Sequence, residues 1–482
     1  MENIVKKSMV PVRSPAWALL ACAAIGIRLS GAAATLPSVT LSPGENIQLA
    51  VDAAPKGTTF VFLAGVYRMQ SIVPKDGDVF TGQGNVVLNG SEVLSFQDDR
   101  SGNGLWAASA PSSSVRSGVC NSTHPLCGYA QDLFIDGGLQ TLVSSPENLQ
   151  PGTWYFDRAR NEIYIPTSPK NHEIELGMRS FAFTGGAAGV RISDITVEKY
   201  ATPGHFGAVG GFPRGPNWIA SHLESRWNHG TGISLGAGSQ ILNSFIHNNG
   251  QMGIEIVGGT GSNVLNNEIS WNNYAGFDQG WEAGGSKFWA TTNLVVKSNY
   301  VHDNNGMGLW TDHNNVNTRY DSNTVTDNFN EGIKHEVSYS ALICNNTIKG
   351  NGYSRGVWLS NAQISIQNSS DVQVYGNNVE VPIAGGNGIV IINQERGMGT
   401  LGLWISANDY VHNNTIIYLG PTGFSGTADD TGGKAPSGDS FDYNKYTVEK
   451  AAGWHWRWFG TTSWLNWNQL KAAGQEAHGV GK

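Results

Sequence analysis

Short runs of alternating apolar and polar residues recur along the middle of the chain, with the two-residue period of a strand rather than the 3.6-residue period of a helix. From about residue 240 to 420 the runs share one pattern: an apolar residue, polar residues with Asn, one free position, then Ile or Val. Val264-Leu265-Asn266-Asn267-Glu268-Ile269, Tyr320-Asp321-Ser322-Asn323-Thr324-Val325 and Ile343-Cys344-Asn345-Asn346-Thr347-Ile348 are examples. A second marker, Gly followed by an apolar residue, falls at Gly253, Gly276, Gly308, Gly332, Gly356 and Gly388, in steps of 23, 32, 24, 24 and 32 residues. A base period of 23–24 with two insertions predicts stacked coils, each burying its neighbours' apolar edges. Asn and Gly at the breaks supply left-handed corners, and stacked Asn side chains can hydrogen-bond along the ladder. The expected architecture is all-β, a right-handed parallel β-helix solenoid. Propeller blades need ~40–45 residues each and are excluded.

The ends of the repeat set the domain plan. Gly44 to Pro55 carries apolar residues at helical spacing and should cap the first coil, with Thr59-Phe60-Val61-Phe62-Leu63 starting the sheet. Such a cap keeps strand edges and core from exposure. Residues 35–91 are therefore read as cap and first coils. Residues 92–180 break the rhythm with hairpin-like pieces and are read as an inserted antiparallel β-sandwich-like unit. Coils run through 181–424, and 425–482 form a linker and a Trp-rich C-terminal cap. Residues 1–34 are read as an export signal: Lys6, Lys7 and Arg13 precede the apolar run Ala16–Ile27, and small residues follow at Ser30 to Ala34. That run is shorter than the ~20 residues that span a bilayer, so a secreted or periplasmic protein with no membrane contact in its mature form is expected.

Composition narrows the function classes. Charged residues are only 14% and aromatic residues 10%, which excludes a disordered chain. The net charge of −8 offers no broad basic face for nucleic acid. Cys120 and Cys127 bracket a short polar loop and are expected to form a local disulfide in an oxidising compartment. Cys344, in Ala-Leu-Ile-Cys, reads as a small core residue. The segment Trp454 to Trp467 reads as packing for the C-terminal cap.

Counting from the Gly marker places the chemistry. The residue after Gly points inward, so the second and fourth residues after it point outward from the same strand. The second-residue column reads Glu255, Asp278, Trp310, Lys334, Trp358; the fourth reads Val257, Gly280, Asp312, Glu336, Ser360. Asp312 and Glu336 are thus expected on neighbouring coils, facing solvent. Adjacent strands lie ~4.7–4.9 Å apart, near the ~5–5.5 Å carboxylate spacing of retaining glycosidases. Stacked like charges resist double ionisation, so one carboxyl is expected to keep its proton while the other ionises. Asp278, Trp281, Glu282, Lys287 and Trp289 from the first insertion should lean over this face, beside Trp310, Lys334 and Trp358. An acidic pair rimmed by aromatic rings suits a sugar. His229 reads as a corner residue.

Gly308-Leu309-Trp310-Thr311-Asp312, followed one coil later by Lys334-His335-Glu336-Val337, is similar to the paired motif of β-helical retaining β-xylosidases. The resemblance implies that Asp312 is the nucleophile and Glu336 the acid/base; that family also carries a β-sandwich inserted near its N-terminus. His313-Asn314-Asn315 and Tyr339-Ser340 depart from its pattern. The chain also resembles exported bacterial β-helix proteins with the Trp-Glu-Ala-Gly-Gly-x-Lys and Gly-x-Gly-Leu-Trp-Thr-Asp patterns.

The first expectation is an enzyme, a retaining glycoside hydrolase acting on a plant or microbial glycan without a cofactor or metal, as a monomer. A second reading on the same face is a lyase or uronate epimerase resembling the pectate-lyase superfamily. It would use Lys287, Lys334 or Arg319 as base and hold Ca²⁺ between Glu255, Asp278, Asp312 and Glu336. A third is a non-catalytic glycan-binding scaffold.

Overall fold

The computed structural model describes residues 37–482 except 99–102, 113–115, 354–358, 360, 430–437, 450–453 and 460–463. Residues 1–34, read above as an export signal, and Trp358 lie outside the described residues. Each full coil gives two short strands to one long parallel sheet, as Gln240–Leu242 and Phe245–His247 do. A third strand, such as Met252–Val257, joins a second parallel sheet of eleven strands. This is a three-sided parallel β-helix. One inward column runs Ile241, Val264, Val296, Tyr320, Ile343, Val374, Val411, Phe441 through successive coils, and a single apolar core extends from Leu41 to Leu470.

The Asn-rich corners divide two tasks. In Asn266-Asn267, Asn345-Asn346 and Asn413-Asn414 the first Asn takes the left-handed corner, with φ of +58°, +58° and +55°; at Asn272, Asn304 and Asn377 the corner falls to the preceding Trp271, Asp303 and Gly376. The Asn after the corner turns its amide inward and hydrogen-bonds to the next coil. One buried ladder runs Asn267, Asn299, Asn323, Asn346, Asn377, Asn414, Asn444, with side-chain amide contacts of 2.9–3.0 Å. Another runs Asn228, Asn249, Asn272, Asn304, Asn328, Asn351. The Gly marker has its own cause: a Cβ on Gly308 would lie 2.6 Å from the Gly332 carbonyl oxygen.

Helix α1 (Ile47–Ala53), N-capped by Asn46, buries Ile47 and Val51 against the first coil. A strand absent from the sequence reading, Ser38–Leu41, precedes it and pairs with Thr59–Arg68. Between Ser91 and Gly177 two small sheets, of five and four strands, enclose a separate core around Leu133, Trp154, Phe156 and Ile163. At the other end α3 (Trp467–Ala472) begins with a capping box, and Trp456 is buried against Tyr446 and Trp467.

Two register expectations are corrected. The strand aligned with Met252–Val257 is Gly284–Trp289, with Glu255 beside Lys287, so Gly276 marks no coil position. The extra residues precede that strand and form a loop and the short helix α2 (Gln279–Glu282), which Asp278 caps through its side chain. Likewise Ile364, not Val357, follows Ile333, on the strand Ala362–Gln367. A periodic pattern fixes how long an insertion is but not on which side of the strand it falls.

Candidate active site

With the register corrected, the outward columns of the eleven-stranded sheet change membership. The fourth-residue column reads Val257, Trp289, Asp312, Glu336, Gln367. The second reads Ser234, Glu255, Lys287, then Trp310, Lys334, Ser365. Lys287 therefore takes the place read for Asp278, and Ser365 the place read for Trp358. Asp312 and Glu336 are direct partners on adjacent parallel strands. They line one cleft of about 250 Å³ with Trp281, Trp310, Glu331, Lys334 and Arg396.

The carboxylates do not stand bare to solvent, which corrects the expected exposure. Lys287 places its ammonium 2.8 Å from Asp312 and 2.5 Å from Glu282, and His205 lies 2.7 Å from the other Glu282 oxygen. Glu336, with 7% of its side chain exposed, meets Lys334 at 2.9 Å and Arg396 at 2.8 Å. The Trp310 indole N–H donates to Glu336 at 3.1 Å. That ring is buried with the Lys287 ammonium 4.1 Å from its centroid, so it braces the charges from beneath instead of offering a face. Trp281 is packed against His205, with ring centroids 4.0 Å apart.

Burial pushes the Glu336 carboxyl up, but Lys334 and Arg396 outweigh it and hold it below the ordinary carboxylate range. Glu282 is likewise lowered, because His205 and Lys287 overcome its burial. Burial would lower Lys334, yet Glu336 and Glu331 raise it above the usual lysine value. The expected splitting, one carboxyl of the pair keeping its proton, does not arise at Glu336 in the free protein, where two adjacent cations hold the carboxyl low. The face is also not mainly acidic, since each of these carboxylates except Glu331 carries a basic partner. Behind the pair, inside the solenoid, His335 contacts Thr311 at 2.7 Å and burial lowers it to about 4, so it is neutral.

Arg319 lies on the other sheet, on Thr318–Asp321, ion-paired with Asp321, and so is no part of this cleft. Glu255 is engaged by Arg214 at 2.6 Å, and Asp278 by its cap. The four carboxylates read as Ca²⁺ ligands do not converge, and no group of metal-ligating residues occurs among the described residues. His229 is buried where the inserted unit meets the solenoid, 2.9 Å from Asp132 and 2.7 Å from the Cys127 carbonyl. Cys120 and Cys127 are disulfide-bonded, and Cys344 is buried.

Three contributors escaped the sequence reading. Arg396 and Trp404 come from a segment between Asn393 and Tyr410 that follows no coil rhythm. Glu331 immediately precedes a Gly marker, where the neighbouring coils carry Met307 and Ala362, and an acid in that column was the available signal. Trp289, 42% exposed and beside Asp312, stacks on His313 with centroids 5.3 Å apart, and His313 in turn meets Trp404. This open aromatic wall is the surface a sugar ring can use.

The family described as right handed beta helix region matches residues 215–379. None of the curated proteins matches the sequence. Among solved structures, the complex of XylC with xylose is similar over 91% of this chain and 82% of its own, at 17% identity and a TM-score of 0.70. The A-module of the mannuronan C-5 epimerase AlgE6 of Azotobacter vinelandii is similar over 90% of this chain and 94% of its own, at 16% identity and a TM-score of 0.50. At such identities the fold is what is shared, and the chain is a right-handed parallel β-helix.

Proposed function

We propose that the protein is an exported retaining glycoside hydrolase acting on a plant or microbial glycan. The observation that carries this reading is the register of Asp312 and Glu336, adjacent outward residues on neighbouring strands within one cleft. Strand spacing of ~4.8 Å suits direct attack by one carboxylate and leaves no room for the intervening water of an inverting enzyme. Asp312, the more open of the two, would attack the anomeric carbon while Glu336 protonates the departing glycosidic oxygen. Glu336 would then take a proton from the water that cleaves the glycosyl–Asp312 ester. Lys287 holds Asp312 by an ion pair at the cleft wall, and Trp289 offers a ring face to the sugar.

The lyase or epimerase reading is less well supported. It needs a base, and Lys334 is held more firmly protonated than a free lysine. Arg319 lies on the other sheet, and no convergent set of carboxylate ligands for calcium occurs among the described residues.

The test is turnover on a panel of neutral and acidic polysaccharides, beginning with xylo-oligosaccharides because XylC was seen with xylose. Reducing ends without ultraviolet-absorbing unsaturated products are expected. Asp312→Asn and Glu336→Gln should each lower kcat by a factor of about 10³ or more in a protein that still folds, Glu336→Gln with a lowered thermal midpoint because it removes the carboxylate that Lys334 and Arg396 share. Full activity in either variant removes the hydrolase reading; unsaturated products favour a lyase.

A further inference from the structure

Glu331 is the one cleft carboxylate for which the mechanism has no use. It sits one residue before the glycine that opens the Glu336 strand, lines the same cleft, and is 2% exposed. Its Oε2 is buried without a hydrogen-bond partner, and no ion pair reaches it among the described residues. Beside it, Asn330 gives its amide N–H to Asn361 at 3.1 Å, and its Oδ1 is left buried and unpartnered. Burying acceptors without donors is unfavourable. Such a group persists where something other than stability selects it.

We propose that Glu331, with Asn330, is the hydroxyl-recognition element of the cleft, accepting hydrogen bonds from adjacent free hydroxyls of a neutral sugar. A carboxylate presents two acceptor oxygens and no donor, which matches the O–H groups of a vicinal diol. The charge pattern selects against acidic sugars: Asp312, Glu331 and Glu336 face Lys334 and Arg396, leaving one negative charge in excess along the cleft wall. A uronate carboxylate would meet Glu331 as a like charge, with no unpaired cation among the described residues that line the cleft to receive it. This assignment rests on the hydrolase reading for its place in catalysis, but binding tests it separately.

The experiment compares the catalytically silent Asp312→Asn protein with and without Glu331→Gln. Calorimetry uses xylobiose and cellobiose as neutral probes and digalacturonate as the acidic probe. The expected result is neutral-sugar binding that weakens tenfold or more with Glu331→Gln, while digalacturonate affinity rises. The thermal midpoint should hold or increase, because the substitution replaces a buried carboxylate oxygen that has no hydrogen-bond partner. Unchanged neutral-sugar affinity overturns the inference, and so does a lowered midpoint or failure to fold, since either reveals a structural partner. Hydrolysis of a neutral glycan with KM insensitive to Glu331→Gln removes this inference and leaves the hydrolase reading standing. Glu331-dependent binding without turnover by the unmodified protein does the reverse. Binding of none of these sugars overturns the inference.

Discussion

Arg396 reaches Glu336 from sixty residues further along the chain and keeps about a third of its own side chain exposed. It differs in this from Lys334, which is buried beside the same carboxylate. Since kcat/KM reports ionisation of the free enzyme, a Glu336 held low by two cations makes activity an acid-side property. The protonated acid is populated only as pH falls towards its lowered value, so kcat/KM should decline as pH rises through that range. Arg396→Gln removes one cation and lets Glu336 rise, and the descending limb should move up by about one pH unit. A limb that stays in place would mean that Glu336 is not the acid. The same residue shows where sequence reasoning stops. Asp312 and Glu336 could be paired in advance because each follows a Gly marker and the two are separated by one uninterrupted 24-residue step. Nothing in a local pattern connects residue 336 to a loop at 396.

At the level of the strand and its corner, the Asn doublets turn one residue type to two purposes, and substitution should separate them. Asn266 is exposed at a left-handed corner, where Gly is equally suited. Asn266→Gly should change stability by less than about 0.5 kcal/mol. Asn267 is 2% exposed; its Oδ1 accepts from the Ser244 N–H, and its amide donates to Ile241 and Asn299. Asn267→Ala strands those partners inside the solenoid and should cost about 2–4 kcal/mol, read as the denaturant midpoint. Equal effects of the two would refute the division. The doublets, the alternation and the Gly column were legible because each reflects a contact repeated in every coil. The insertions were misplaced because no repeated contact constrains them: α2 has its own cap, and the column passes from Ile333–Glu336 to Ala362–Gln367.

Across the whole molecule the inserted unit and the solenoid act on the site together. The disulfide-bonded loop Cys120–Cys127 packs with Phe277, Ala283 and Trp281, while Asp132 accepts from Tyr274 at 2.6 Å and contacts His229. These contacts seat α2, and through Glu282 and Lys287 they reach Asp312. The solenoid has an acid-favouring balance of its own. Asp409 and Asp439 are consecutive along one stack, the Asp409 N–H donating to Asp439 and one oxygen of each buried without a partner. Burial and the neighbouring carboxylate raise Asp409 well above the ordinary value, and burial raises Asp439 to about 6. Glu476, which ends the long Asn ladder, is raised by burial to about 7. A carboxyl whose folded value exceeds its unfolded value binds more protons when folded, so its contribution to stability falls as pH rises between the two. For Asp439 and Glu476 the window runs from about pH 4 to about pH 7. The lowered groups Glu336, Glu282 and Asp321, the last at about 2, act oppositely and withdraw stability only as pH falls below about 4. The thermal midpoint should therefore peak near pH 4–5 and decline towards pH 7, the Asp439 shift alone being worth about 3 kcal/mol. Asp409→Asn combined with Asp439→Asn keeps the stack's acceptors, removes both charges, and should raise the midpoint at pH 7 while leaving it nearly unchanged at pH 4. A midpoint that climbs steadily from pH 4 to pH 7, or a double variant no more stable at pH 7 than the parent, would show that these carboxyls do not hold their protons in the fold.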